Sequence, residues 1–286
     1  MKHTSTSWLS VSLVILSAAC ASPRGAPREL PPVARPSGTP TSSTGPWTFR
    51  HAPGTRAYRI TRNASIDGLT DSASRREIVS NFTHEILTLD EVGGGDLAFK
   101  AVVDTFSVTT QGSVGPAQPT TLPVELLGSV GASGVRLESP PSDECNPVRA
   151  TVATDLYNLL PRFPSSMSKG TSWRDSISTS GCHAGIPTNA VTRRTFTVSG
   201  ELDHSGRRLI LVERVDSVTA RGSGAYNQHR MQVESTGNGT AAYYLDAGSG
   251  EVFQLTSSQR SLIRVMTSGR VHTFTQVANQ EFVRVR

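Results

Sequence analysis

Two stretches of the chain, 83–109 and 195–221, overlay without a gap at a constant offset, 216 − 104 = 112. Thr83, Gly94, Leu97, Val103 and Asp104 recur as Thr195, Gly206, Leu209, Val215 and Asp216, and Ile86, Phe99 and Phe106 as Val198, Leu211 and Val218. Each copy reads as strand, glycine-bearing turn and strand, which is a β-hairpin used twice. Turns this short join antiparallel neighbours. The expected fold is therefore mainly β: two similar antiparallel β-halves, forming a curved sheet or half-barrel. Within the second strand of each copy the apolar parity shifts: Leu97, Phe99 and Val103 give way to Phe106 and Val108, and Leu209, Leu211 and Val215 to Val218. Such a shift means either burial on both faces or a bulge near Asp104 and Asp216.

The other strand-like runs are 56–66, 76–89, 124–130, 134–138, 172–179, 230–236, 240–246, 251–256, 261–267, 271–277 and 282–286, separated by Gly-, Ser- and Asp-rich turns. Between the halves lies one helical pattern. Asn146 suits an N-cap and Pro147 the first helical position. Val148, Val152, Leu156 and Leu159 then follow at spacings of four, four and three, one apolar stripe. Pro161 stops the pattern by excluding Leu160 from the α region. The spacing predicts one central α-helix at about 147–160, followed by the corner Leu160-Pro161-Arg162-Phe163-Pro164.

The amino terminus sets the compartment. Lys2 and His3 precede an apolar run from Trp8 to Leu16, and small residues then lead to Cys20. This is an export signal too short to remain as a membrane span. Ser17-Ala18-Ala19-Cys20 resembles a bacterial lipobox, which implies lipidation of Cys20 as the first mature residue. Ala21 after it resembles the pattern of lipoproteins sent to an outer membrane. An ordinary cleavage near Ala19 or Ala21 is the alternative. The expected organisation is signal peptide 1–19, a Pro-rich disordered linker 20–46, and a β-rich domain 47–286. Within that domain the N-half spans about 47–140, the helix and corner 145–170, and the C-half about 171–286. A linker of this kind could hold the domain up to roughly 80 Å from the bilayer.

The two remaining cysteines, Cys145 before the helix and Cys182 in a strand-like run, either pair or stay as buried thiols; an oxidising compartment favours a disulfide. The basic residues are 25 Arg and 3 Lys, scattered along the chain against 23 acids, and no nucleic-acid partner is expected.

Motifs for chemistry are sparse. His84-Glu85 opens like a zinc-protease motif, but Thr88 stands where a second histidine belongs. Ser166-Met167-Ser168-Lys169 has a Ser-x-x-Lys spacing without its companion motifs, and reads as a polar loop. Cys182-His183 are neighbours in a strand and diverge. Asp104 and Asp216, equivalent in the repeat, are candidates for a metal or acid–base pair; the plainer reading puts each at a strand bulge or facing water. Trp173 is read as a core or edge anchor, with a ligand platform as the alternative. No catalytic residue, metal or cofactor is assigned, and the chain is not expected to be an enzyme. A hydrolase would need one of His84, His183, His204, His229 or His272 beside an acid in a cleft.

The lipobox, the Leu160-Pro161 corner with Gly170-Thr171-Ser172-Trp173-Arg174-Asp175, and Tyr243-Tyr244-Leu245-Asp246 followed by Gly250-Glu251-Val252 resemble an uncharacterised family of bacterial lipoproteins with duplicated β-halves. More distantly, a curved sheet with one helix in its concavity is similar to periplasmic lipoprotein carriers, which hold acyl chains. The resemblance implies location and architecture, with no activity to carry over. The expected function is a membrane-anchored binding or interaction module in the envelope, for a hydrophobic or lipid-like ligand. A structural or assembly role beside an envelope protein is the alternative, and an unrecognised hydrolase a third.

Overall fold

The computed structural model describes residues 30, 34–68, 76–111, 122–138, 146–183, 186–226 and 229–285. Its elements in the first half are β1 (Thr39–Pro40), β2 (Gly54–Gly68), β3 (Arg76–Gly93), β4 (Asp96–Gln111), β5 (Val124–Gly131) and β6 (Gly134–Leu137). The helix α1 (Pro147–Leu159) follows. Then come β7 (Ser172–His183), β8 (Ile186–His204), β9 (Arg207–Tyr226), β10 (His229–Asp246), β11 (Val252–Thr267) and β12 (Arg270–Arg284). All strands join one antiparallel sheet, ordered β1-β8-β9-β10-β11-β12-β2-β3-β4-β5-β6, with β7 on the outer flank of β8. Each half is a meander, β2 to β6 and β7 to β11, and β12 splices β11 to β2. The sheet is not closed, because its end strands β6 and β7 do not pair.

The helix forms where its caps and stripe place it. The Asn146 side chain accepts from the backbone N–H of Arg149 at 3.0 Å, and Leu160 closes the last turn onto Leu156. Val148, Val152, Leu156 and Leu159 are all buried. The helix packs on β7 at one end of the sheet and on β4, β5 and β6 at the other. It thus bridges the gap that the open sheet leaves. Tyr58 and Ile60 of β2, Phe99 and Val103 of β4, Ile210 and Val212 of β9 and Leu255 of β11 share one core with Val152 and Leu156. A sheet whose ends and middle meet in one core around a helix has curled about it, and each large apolar side chain buried there stabilises the fold by about 1.5–3 kcal/mol.

The duplicated hairpins are β3–β4 and β8–β9, turning at equivalent glycines, Gly94 and Gly206. Of the two alternatives left by the parity shift, the bulge holds at Asp104 but not at Asp216. Glu85 pairs with Val103 and His84 with Thr105, so Asp104 is the extra residue. Asp216, by contrast, lies in register opposite Arg194, and the irregularity in that hairpin is at Ser199 on the partner strand. In β9 the inner face runs Ile210, Val212, Arg214, Asp216, and Val215 is 59% exposed. The parity shift in the sequence reflects two buried polar residues at inward positions.

Three expected breaks are also absent: β10, β11 and β12 each run unbroken where the sequence suggests two short strands. The polar stretches that imitate turns lie side by side in register, Gly237-Asn238-Gly239 against 259–261 and Ser258 against Asn279. Gly237 is required there by close approach, since a Cβ would fall 2.5 Å from Ser261 Oγ and 2.7 Å from the Arg260 carbonyl oxygen.

The expected linker 20–46 is not free along its whole length, and the ordered chain starts before Trp47. Thr39 and Pro40 pair with β8, the Ala34 carbonyl accepts from Gln254, and the Ser37 carbonyl accepts from His204. These partners lie on two elements of the C-half, β8 and β11, so residues 34–41 form a strap across it. Trp47 is buried, exchanges backbone hydrogen bonds with Met167, and donates from Nε1 to Glu201 at 3.1 Å.

Candidate ligand cleft

The seam between the two sheet ends is where the structure leaves space. The corner after α1 spans it, with the β3–β4 and β5–β6 turns on one side and the start of β7 on the other. A cleft of about 600 Å³ opens there. Its apolar wall includes Phe49, Leu97, Val130, Phe163 and Trp173. The volume falls in the range of small-molecule sites, about 300–1,000 Å³.

Trp173 is held from three sides. Its indole N–H donates to the Arg162 carbonyl at 3.0 Å. One ring face lies parallel on Phe196, with centroids 4.9 Å apart, and Phe163 meets it edge-on at 6.0 Å. Phe163 in turn packs on Phe49 at 5.9 Å. Trp173 is therefore packed as an edge anchor, and it also lines the cleft. Aromatic side chains fixed in this way offer a rigid apolar surface at little entropic cost. His51, on the same floor, keeps a neutral ring. Burial is the main cause, outweighing the hydrogen bond to the Pro161 carbonyl, and Arg56 adds to it; together they lower its pKa to about 4.

Behind the cleft, three arginines of the sheet grip the helix. Arg194 makes a two-pronged contact with Asp175, both at 2.6 Å, and donates to the Tyr157 carbonyl. Arg214 pairs with Asp216 at 2.8 Å and donates to Asn158 and to the Tyr243 hydroxyl oxygen. Arg62 pairs with Asp155 and donates to Thr83 at 2.9 Å. Beside that last cluster Glu85 is fully buried, and neither carboxyl oxygen has a hydrogen-bond partner. Burial, first, and the neighbouring Asp155 charge push its pKa well up, against the pull of Arg62. Sequence reading named Asp216 as a candidate and Glu85 only in an incomplete zinc motif, and it missed Arg62, Asp155, Arg194 and Arg214. The available signal was parity: Glu85 stands between Thr83 and Leu87 on the apolar face of β3, and Asp155 one residue before Leu156 on the helix stripe.

The other sequence candidates do not converge. Asp104 faces outward and accepts from His84 Nδ1 at 2.9 Å. Asp216 is buried on the inner face with Arg214. The two carboxylates have separate partners on opposite faces, and among the described residues no group of three His, Cys, Asp or Glu could hold a metal. His204 bonds the strap at Ser37, His229 faces Ser268 and His272 stands opposite Val265, each on its own strand. The side chain of His183 lies outside the described residues, as do Cys20 and Cys145. Cys182, near the end of β7, is opposite Pro187. Ser166 and Lys169 are exposed in the loop that follows the corner. Among the described residues no helix is long and apolar enough to cross a membrane.

No family model matches the chain, and no curated protein matches it. The chain is similar to a mutant of Rh. blastica porin at 9% identity, over 79% of this chain and 99% of the other, with a TM-score of 0.24. It is similar to Pseudomonas aeruginosa OccK2 (OpdF) in complex with glucuronate at 10% identity, over 81% and 98%, TM-score 0.24. It is similar to Pseudomonas putida OprB at 8% identity, over 81% and 94%, TM-score 0.24. At such scores the likeness carries no argument about place or function.

Proposed function

We propose that the chain is an exported lipoprotein, tethered through Cys20 to an outer membrane, and that its seam cleft binds a hydrophobic or lipid-like ligand without transforming it. The observation that carries the reading is the aromatic-walled cleft of about 600 Å³ between the sheet ends. The helix spans the seam instead of a paired strand, so the wall is made of side chains and open space. The tether enters from the strapped C-half. Since residues 34–41 lie on the sheet, they add nothing to the reach of the tether.

Mass spectrometry of lipids extracted from the purified full chain tests this. The wild type should carry an apolar ligand. Ser165→Trp, at an exposed cleft-lining position, should lose it without a change in melting temperature. A wild-type protein that carries none, and takes up none when incubated with membrane lipid, would overturn the reading.

A further inference from the structure

The charged side chains lining the cleft are all basic, with the Asp96 carboxylate seated against Gly131 at its rim. Its lining contains Arg50, Arg162 and Arg174 and no aspartate or glutamate. They come from three separate places: the approach to β2, the corner after α1, and the third residue of β7. All three are exposed. None forms an ion pair or a side-chain hydrogen bond among the described residues, whereas Arg56, Arg62, Arg194 and Arg214 all have carboxylate partners. His51 adds no charge, because its pKa is lowered to about 4.

Three guanidinium groups at one opening repel each other, and a concave low-dielectric wall concentrates their field. Guanidinium matches carboxylate and phosphate oxygens in pairs, which an ammonium does not. The aromatic wall beneath them favours an apolar body. We infer that the cleft selects an anionic amphiphile: a molecule with an apolar chain seated against Phe49, Phe163 and Trp173, and a phosphate or carboxylate head held by Arg50, Arg162 and Arg174. This rests on the cleft being a ligand site and adds the class of ligand.

The test is an equilibrium titration of the full chain, below micelle-forming concentrations, with dodecyl phosphate, dodecyl maltoside and inorganic phosphate. Dodecyl phosphate should bind at least about tenfold more tightly than dodecyl maltoside. The preference should shrink as salt is raised, because exposed charges are screened. R50Q/R162Q/R174Q should bring the two detergents to equal affinity while dodecyl maltoside binding stays at its wild-type value. These arginines have no partners to lose among the described residues, so the variant should melt with the wild type. Equal binding of the two detergents by the wild type, or a preference that survives the triple substitution, overturns the charge selection and leaves the hydrophobic site standing. Inorganic phosphate binding as tightly as dodecyl phosphate overturns the amphiphile in favour of a free anion. Failure of every detergent to bind removes the site itself.

Discussion

Glu85→Gln isolates the least compensated group in the core. The carboxyl is fully buried, and neither oxygen has a partner. One guanidinium, Arg62, serves two carboxyls, and it is bonded to Asp155. An ionised Glu85 would be a second buried negative charge, at a cost of several kcal/mol. It therefore stays protonated in the folded chain, with a pKa raised well above the ordinary 4.5. The sign of the pH effect follows. Below about 4.5 both folded and unfolded states hold the proton, and the group's full contribution is present. As pH rises from there towards the folded pKa, the unfolded chain releases a proton that the folded chain keeps. Stability then falls by about 1.4 kcal/mol per pH unit. The glutamine amide keeps the shape and cannot ionise. Wild type and variant should have similar stability near pH 4.5, and the variant should gain over the wild type as pH increases. For a chain of this size, each kcal/mol corresponds to about 2–4 °C of melting temperature. Circular-dichroism melts of both proteins from pH 4.5 to 8 read this directly. Parallel curves, or a variant less stable by the same amount at every pH, would refute the buried neutral carboxyl.

Other expectations concern the packing around it. Arg214→Met leaves Asp216 buried and unpaired and should cost about 3–5 kcal/mol in chemical denaturation; adding Asp216→Leu should return part of that loss. Gly128→Ala should destabilise strongly, because its Cβ would lie 2.2 Å from the Arg136 carbonyl oxygen and 2.5 Å from the Phe99 ring. Cys145→Ser and Cys182→Ser, on the proposed disulfide, should each cost roughly 4 kcal/mol, and the double variant no more than either alone. Two additive losses would separate the cysteines.

The fold was legible where apolar residues decide it. The helix needed only its cap, its stripe and Pro161, and the duplicated hairpins needed only their shared turn and alternation. Reading failed where polar residues face inward. Arg214 and Asp216 broke the alternation of β9, so Val215 took their place in the pattern. Gly237, Asn238 and Gly239 imitate a turn because nothing local shows that 259–261 lie beside them. The cleft was barely visible for the same reason. Trp173 could be singled out, but Phe49, Leu97, Val130 and Phe163 are scattered over the chain and meet only once the sheet curls and the corner closes over its seam.

The central claim is that the seam holds an apolar ligand, and photo-crosslinking addresses it most directly. A photoreactive acyl chain, activated on the purified full chain and mapped by peptide mass spectrometry, should label peptides containing Phe49, Val130, Phe163 and Trp173. Label spread over the outer face of the sheet, or confined to peptides that contribute nothing to the cleft, would contradict it.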